Sequence, residues 1–243
     1  MILLSIYLCL AAMLHQSSSV ASPDLPGLMT SNANQQKVIV DTHNNLRRTV
    51  QPTASNMLKM EWDFATARNA QRSADACTLE HTPQGDRTIN GVLCGENLFY
   101  SSVIHPWLYA IQDWFNERNV FSFGKGPTKP GAMVGHYLQV VWYRSYKVGC
   151  AVAYCPEQKT YKYFYVCQYC PAGNLRSQKY TPYKTGRPCG DCPHACDNGL
   201  CTNPCKHEDD YSNCPDLKKQ VGCDDTMMKE SCKASCKCTT EIK

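Results

Sequence analysis

The chain has 243 residues, with 25 Lys and Arg against 21 Asp and Glu, and it carries 17 cysteines. A formal net charge of +4 with no run of Lys or Arg excludes a nucleic-acid surface and an electrostatic grip on anionic membranes. So many cysteines mark an oxidising compartment and a disulfide framework.

The first segment is a leader. Ile2 to Leu14 is apolar apart from Ser5, too short to span a bilayer but suited to the core of a signal peptide. Ser19 and Ala21 are the small residues expected before a cleavage after Ala21, so residues 1–21 are expected to be removed and Cys9 with them. The mature chain is then expected to be secreted, with no membrane insertion. No Asn-x-Ser/Thr acceptor is present.

From 22 to 170 the chain reads as one ordinary domain, rich in apolar and aromatic residues. Gln35–Thr49 is predicted helical on Val38, Ile39, Thr42 and Leu46, with Pro52 just beyond its end. Glu61–Ala76 is predicted helical on Trp62, Ala65, Asn69, Ser73 and Ala76. Pro106–Arg118 follows, with Leu108, Ile111 and Phe115 as its stripe. Val148–Tyr154 and Tyr161–Tyr169 are predicted strands, and Pro156–Lys159 between them makes a hairpin. Helices mixed with late antiparallel strands predict a layered α+β domain rather than a βαβ repeat.

From 171 to 204 Pro, Gly, Asn and Thr dominate, and Cys189, Cys192, Cys196 and Cys201 lie close together. The texture is that of a linker stiffened by bridges. Cys189 and Cys192, or Cys201 and Cys205, have spacings that also occur in zinc sites, but an exported chain oxidises them. From 205 to 243 sizeable apolar residues are few: Tyr211, Leu217, Val221, Met227, Met228 and Ile242. So small a core cannot hold 39 residues, and disulfides must.

Two stretches carry a family resemblance: Gly135-His136-Tyr137-Leu138-Gln139-Val140-Val141-Trp142 and Tyr165-Val166-Cys167-Gln168-Tyr169-Cys170-Pro171-Ala172-Gly173-Asn174. His43-Asn44-Asn45-Leu46-Arg47 and Gly95-Glu96-Asn97-Leu98-Phe99 support them. The chain resembles the cysteine-rich secretory proteins of the antigen 5 and pathogenesis-related superfamily, and among them the reptile venom members. Leu138 departs from the pattern, where the family usually has Thr.

The resemblance implies an α-β-α sandwich over 22–170, a disulfide-stapled hinge over 171–204 and a small cysteine-rich domain over 205–243 similar to sea-anemone channel toxins. It also implies the pairing Cys77–Cys155, Cys94–Cys170, Cys150–Cys167, Cys189–Cys196, Cys192–Cys201, Cys205–Cys238, Cys214–Cys232 and Cys223–Cys236. Spacing alone leaves the connectivity open.

Two candidate sites follow. In the family, histidines and glutamates matching His81, Glu96, Glu117 and His136 face one cleft. Two imidazoles can hold Zn²⁺ with positions left open, the glutamates acting as ligands or as partners that orient the rings. The plain alternative is a hydrogen-bonded structural cluster, since no HExxH spacing is present. No cofactor is required on that reading. The cleft offers a general base, but nothing in the sequence marks an oxyanion stabiliser, no thiolate is spare and no Gly-x-Ser-x-Gly elbow occurs. No enzymatic activity is expected.

The second site is the last domain. Its toxin-like framework and the venom resemblance imply a monomer that binds ion channels of prey: ryanodine receptors, voltage-gated calcium channels and potassium channels. Lys229 occupies about the position of a pore-entering lysine. Its neighbour is Met228, however, and the domain carries seven Lys against eight Asp and Glu. Tyr211, Met227 and Met228 are the apolar contact candidates beside it, thioethers being adaptable surfaces, although at least one of them is expected to fill the core. The alternatives are a secreted adhesion or lipid-binding protein working through the large domain, and a metal-dependent hydrolase using the His/Glu cleft.

Overall fold

The structure, a computed structural model, describes residues 24–243. The leader, Cys9 and the cleavage after Ala21 lie outside the described residues. Helix α1 (Ala33–Arg48) is started by the Asn32 side chain, which accepts from the Asn34 amide at 2.9 Å. Its buried face is more polar than the expected stripe. Ile39 is joined there by Thr42, His43, Asn44 and Arg47, while Val38 is exposed.

The helix expected over Glu61–Ala76 is two elements. Glu61–Trp62 forms strand β1, and helix α2 (Phe64–Asp75) begins only after Asp63. The Asp63 carboxylate accepts from the Thr66 amide at 2.8 Å and so fixes the helix start two residues after Trp62. Strand β2 (Gly95–Ser101) and helix α3 (Trp107–Asn116) follow, then helix α4 (Gly135–Val140) and strands β3 (Lys147–Tyr154) and β4 (Tyr163–Cys170). Neither β2 nor α4 is predicted from pattern. Along β2 the run Gly95–Leu98 is buried on both sides and shows no alternation, and α4 spans only six residues.

The sheet order is β1-β3-β4-β2, with β1 parallel to β3 and the other pairs antiparallel. Alternation decides which side chains meet which helix. One face presents Leu98, Ala151, Ala153, Phe164 and Val166 to Ala70 and Ala74 of α2. The other presents Val148, Val152, Tyr165 and Tyr169 to a larger core with Trp107, Ile111, Trp114 and Phe115 of α3 and Ile39 of α1. Helices on both faces of a mostly antiparallel sheet make the α-β-α sandwich. At Gly149 a Cβ would lie 2.1 Å from the Ala67 amide nitrogen, so the glycine lets α2 rest directly on β3. Leu138 packs within the larger core, which accommodates the departure from Thr.

Eight disulfides stand in the structure. Cys150–Cys167 joins residues directly opposite on β3 and β4, Cys94–Cys170 ties the entry of β2 to the end of β4, and Cys77–Cys155 ties the end of α2 to the loop after β3. Cys189–Cys196 and Cys192–Cys201 join the turn at 189–192 to a two-stranded hairpin, β5 (Cys196–Asp197) and β6 (Leu200–Cys201). Cys205–Cys238, Cys214–Cys232 and Cys223–Cys236 hold three short helices, α5 (Cys214–Val221), α6 (Thr226–Ser231) and α7 (Lys233–Lys237).

The stretch 171–204 does not run free. The Ser55 amide donates to Lys184 O, Asp191 N to Ser55 O, Cys201 N to Met57 O and Lys59 N to Cys201 O, each at 2.8–3.0 Å. Cys189, Cys192 and Cys201 form a cluster with Leu58 and Tyr146 of the large domain, and Ile242 from the far end of the chain fills it.

Candidate functional site

His81 lies in the loop after α2 and Glu96 on the α2 face of β2. The His81 Nδ1–H donates to Glu96 Oε1 at 3.0 Å. A carboxylate can only accept, so Nδ1 carries the proton, and in the neutral ring the lone pair is then on Nε2. Glu96 is held by three donors: it also accepts from the Thr82 amide at 2.9 Å and from Gln168 Nε2 at 2.9 Å, and its side chain is inaccessible. Burial pushes the Glu96 carboxyl up, but the hydrogen bonds from His81, Gln168 and Thr82 outweigh it and hold the group below its ordinary value. Gln168 is itself fixed by Asn69, which donates to its Oε1 at 2.8 Å.

His136 repeats the arrangement on α4. Its Nδ1–H donates to Glu117 Oε1 at 2.7 Å, and the amides of His136 and Tyr137 donate to Glu117 Oε2 at 2.9 and 3.0 Å. Trp114 stacks beside the ring, with centroids 6.4 Å apart. Adjacent residues of β2 serve the two halves: Glu96 takes His81, and Asn97 Nδ2 donates to the His136 carbonyl at 3.0 Å.

The four residues are therefore two His–Glu pairs rather than one four-ligand cage. Among the described residues, three sulfurs alone form a set of potential ligand atoms within 4.8 Å of one another: those of Cys189, Cys192 and Cys201. All three are in disulfides and have no thiolate to give. The donor chemistry of each His–Glu pair suits zinc, an imidazole being the donor and the glutamate being occupied in orienting the ring. His81 opens onto a cleft of about 670 Å³ lined also by Arg72, Thr82 and Thr88.

Gln168, Asn69 and Thr82 are site residues that the sequence reading passes over. The available signal is a glutamine inside a strand pattern, on the face opposite Cys167 and Tyr169.

The C-terminal candidates differ in exposure. Met228 is fully buried between Cys214 and Cys232, with Leu217 against them. It is the residue that fills the core of this domain, and it leaves the set of contact residues for that reason. Met227 and Tyr211 are 39% and 54% exposed. Lys229 is also exposed, its Nζ 4.0 Å from Asp224 Oδ1. Tyr211 lines a groove of about 850 Å³ between the large domain (Tyr143, Arg144) and the C-terminal domain (Asp209, Pro215, Ser235).

A sequence profile described as the cysteine-rich secretory protein family matches residues 40–169, and a second, Crisp, matches residues 189–243. The chain belongs to the cysteine-rich secretory protein family. It is 70% identical over 243 residues to the cysteine-rich venom protein helothermine of Heloderma horridum horridum, covering 100% of both chains. It is 60% identical to cysteine-rich venom protein VAR11 of Varanus varius, again over both whole chains. It is 54% identical to human cysteine-rich secretory protein 3, over 90% of this chain and 89% of that one. Among solved structures, Na-ASP-1 is similar with a TM-score of 0.58 at 31% identity, covering 69% of this chain and 46% of that one. NaASP2, solved with Zn²⁺, is similar with a TM-score of 0.57 at 31% identity, covering 75% and 100%. Family membership and the eight disulfides among the described residues are consistent with an extracellular protein.

Proposed function

We propose that the protein is a secreted venom component without catalytic activity that acts by binding and blocking ion channels of the prey: ryanodine receptors and voltage-gated calcium and potassium channels. The observation that carries this reading is the stapled C-terminal domain, a small surface whose loops are already ordered and which loses little freedom on binding. Likeness to two reptile venom proteins over their whole lengths supports the venom setting. The contact is assigned to Tyr211, Met227 and Lys229. Electrophysiology of the full-length protein on a panel of cloned channels tests it. Tyr211→Ala and Met227→Ala are each expected to weaken block about tenfold, as loss of an apolar anchor does. Unchanged block in both, and in Lys229→Ala, would move the contact to another surface.

The His–Glu pairs support a second, independent property. His81 and His136 would hold a zinc ion through Nε2, a Lewis acid for which Glu96 and Glu117 fix the ring orientation. Calorimetry with Zn²⁺ is expected to give a binding heat for wild type that disappears in His136→Ala; equal heats in both would remove the site.

A further inference from the structure

The two disulfides of the 171–204 segment are arranged so that a different pairing lies within reach. The sulfurs of Cys189, Cys192 and Cys201 lie within 4.8 Å of one another although they belong to two separate bridges. Cys189 and Cys192 flank a turn closed by the Cys192 amide on Cys189 O at 3.0 Å. Such a turn brings its first and fourth Cα atoms within about 7 Å, a span a disulfide can close. Cys196 and Cys201 are direct partners in the antiparallel ladder of β5 and β6. Opposed residues there stand about 4.5–5.5 Å apart at Cα, which a disulfide also closes. The crossed pairing, Cys189–Cys196 with Cys192–Cys201, therefore sits on a backbone that suits the local pairing, Cys189–Cys192 with Cys196–Cys201.

One sulfur offers an entry. Cys196 is exposed, whereas Cys189, Cys192 and Cys201 are buried. We propose that this segment is a thiol–disulfide exchange site that takes small thiols such as glutathione at Cys196 and isomerises between the crossed and the local pairing.

The steps balance without an added oxidant or reductant. An external thiolate bonds to Cys196 Sγ, and the Cys189–Cys196 bond breaks to leave the Cys189 thiolate. That thiolate bonds to the neighbouring Cys192 Sγ, and the Cys192–Cys201 bond breaks. The Cys201 thiolate then bonds to Cys196 Sγ and expels the external thiol, which recovers its proton. The small thiol is a catalyst, and the number of protein disulfides is unchanged.

The structural consequence follows from what the crossed bridges join. They link the 189–192 turn, held to Ser55 through the Asp191 amide, to the β5–β6 hairpin, held to Met57 and Lys59 through Cys201. The local pairing removes both covalent links between turn and hairpin. It loosens the segment that seats the C-terminal domain.

The test is incubation of the full-length folded protein with reduced glutathione without oxygen, followed by acid quench. Fragmentation mass spectrometry then reads connectivity within residues 187–206. The expected result is a rise of about tenfold in the Cys189–Cys192 linkage over the untreated protein, with free thiols constant and the Cys214–Cys232 bridge intact, since exchange follows access to the attacked sulfur. An unchanged connectivity, or glutathionylation of Cys196 that leaves Cys192–Cys201 intact, would overturn the proposal. The double variant Cys196→Ser/Cys201→Ser gives an independent reading: it is expected to contain a Cys189–Cys192 disulfide, and two free thiols there would also refute it.

Discussion

Arg47 and His43 are both sealed inside the large domain, and neither has a carboxylate partner. The Arg47 guanidinium donates to five backbone carbonyls, those of Leu58, Val140, Trp142, Tyr143 and Ser145, at 2.8–3.2 Å. Burial pulls its pKa down to about 9, so the charge remains at neutral pH, and the planar fork pins α1 to two loops. His43 lies one turn earlier. Its Nδ1–H donates to Ile39 O at 2.8 Å, and its Nε2 accepts from the Tyr169 hydroxyl at 3.0 Å, so the ring is neutral. Burial lowers its pKa from 6.5 to about 4. The unfolded chain takes up the proton near 6.5 and the folded chain only near 4. The contribution of the neutral ring to stability is thus fully present above 6.5 and is lost as pH falls toward 4, on the order of 3 kcal/mol across the window. Urea titrations at a series of pH values are expected to show this fall in wild type and a flatter profile in His43→Gln. Parallel profiles would show that other groups govern the acid limb.

At the scale of the element, Asp63 decides where α2 begins, and with it where His81 and Asn69 are placed. Its Oδ1 accepts from both the amide and the hydroxyl of Thr66 at 2.8 Å, and its Oδ2 pairs with Lys147 Nζ at 3.1 Å. Burial pushes the carboxyl up, but those bonds from Thr66 and Lys147 outweigh it and hold it below the ordinary value. Asp63→Ala removes the cap and is expected to destabilise by about 1–2 kcal/mol, while Asp63→Asn keeps an acceptor at the cap and is expected to cost less than about half of that. Denaturant midpoints of the two variants check the order; equal losses would mean that the pair with Lys147, not the cap, matters. The same residue explains why the periodic pattern from Trp62 misleads. Trp62 and Ala65 have helical spacing, but the intervening Asp63 satisfies orphan amides better from outside the helix than from within it.

At the scale of the molecule, the chain closes on itself. Ile242 packs into the cluster of Leu58, Tyr146, Cys189, Cys192 and Cys201, and its backbone bonds both Asn203 O and the Cys205 amide. Around it, Arg144 pairs with Glu208, Lys206 lies 4.3 Å from the centre of the Tyr146 ring, and the Tyr143 hydroxyl donates to Lys243 O at 2.6 Å. The C-terminal domain is seated on the large domain by packing as well as by chain. Ile242→Ala opens a cavity in that seat and is expected to weaken it by about 2–4 kcal/mol. Hydrogen exchange is the measure: the Cys205 and Ile242 amides are expected to be protected in wild type and to exchange faster in the variant, with the β3–β4 amides unchanged. Fast exchange of both in wild type would mean that the domain swings freely.

The residues by themselves determined the class of the molecule. The cysteine count, the apolar text of 22–170 and the bare text of 205–243 require an oxidised chain with one true core and one stapled domain, because burial and cross-linking are properties of composition. Strand positions at Val148–Tyr154 and Tyr161–Tyr169 were legible because β-branched and aromatic residues crowd both segments, again a property of composition, and the second strand begins at Tyr163. Only the tertiary structure decided that Glu96 belongs to His81 and Glu117 to His136, because those pairs are made by a strand and a helix that carry no periodic signal. It also decided that Met228 is core while Met227 is surface: two adjacent methionines on one short helix differ only in which side faces Cys214 and Cys232. And it placed three cysteine sulfurs of two bridges in mutual reach, a property of where the 189–192 turn and the β5–β6 hairpin sit relative to each other, which spacing along the chain does not contain.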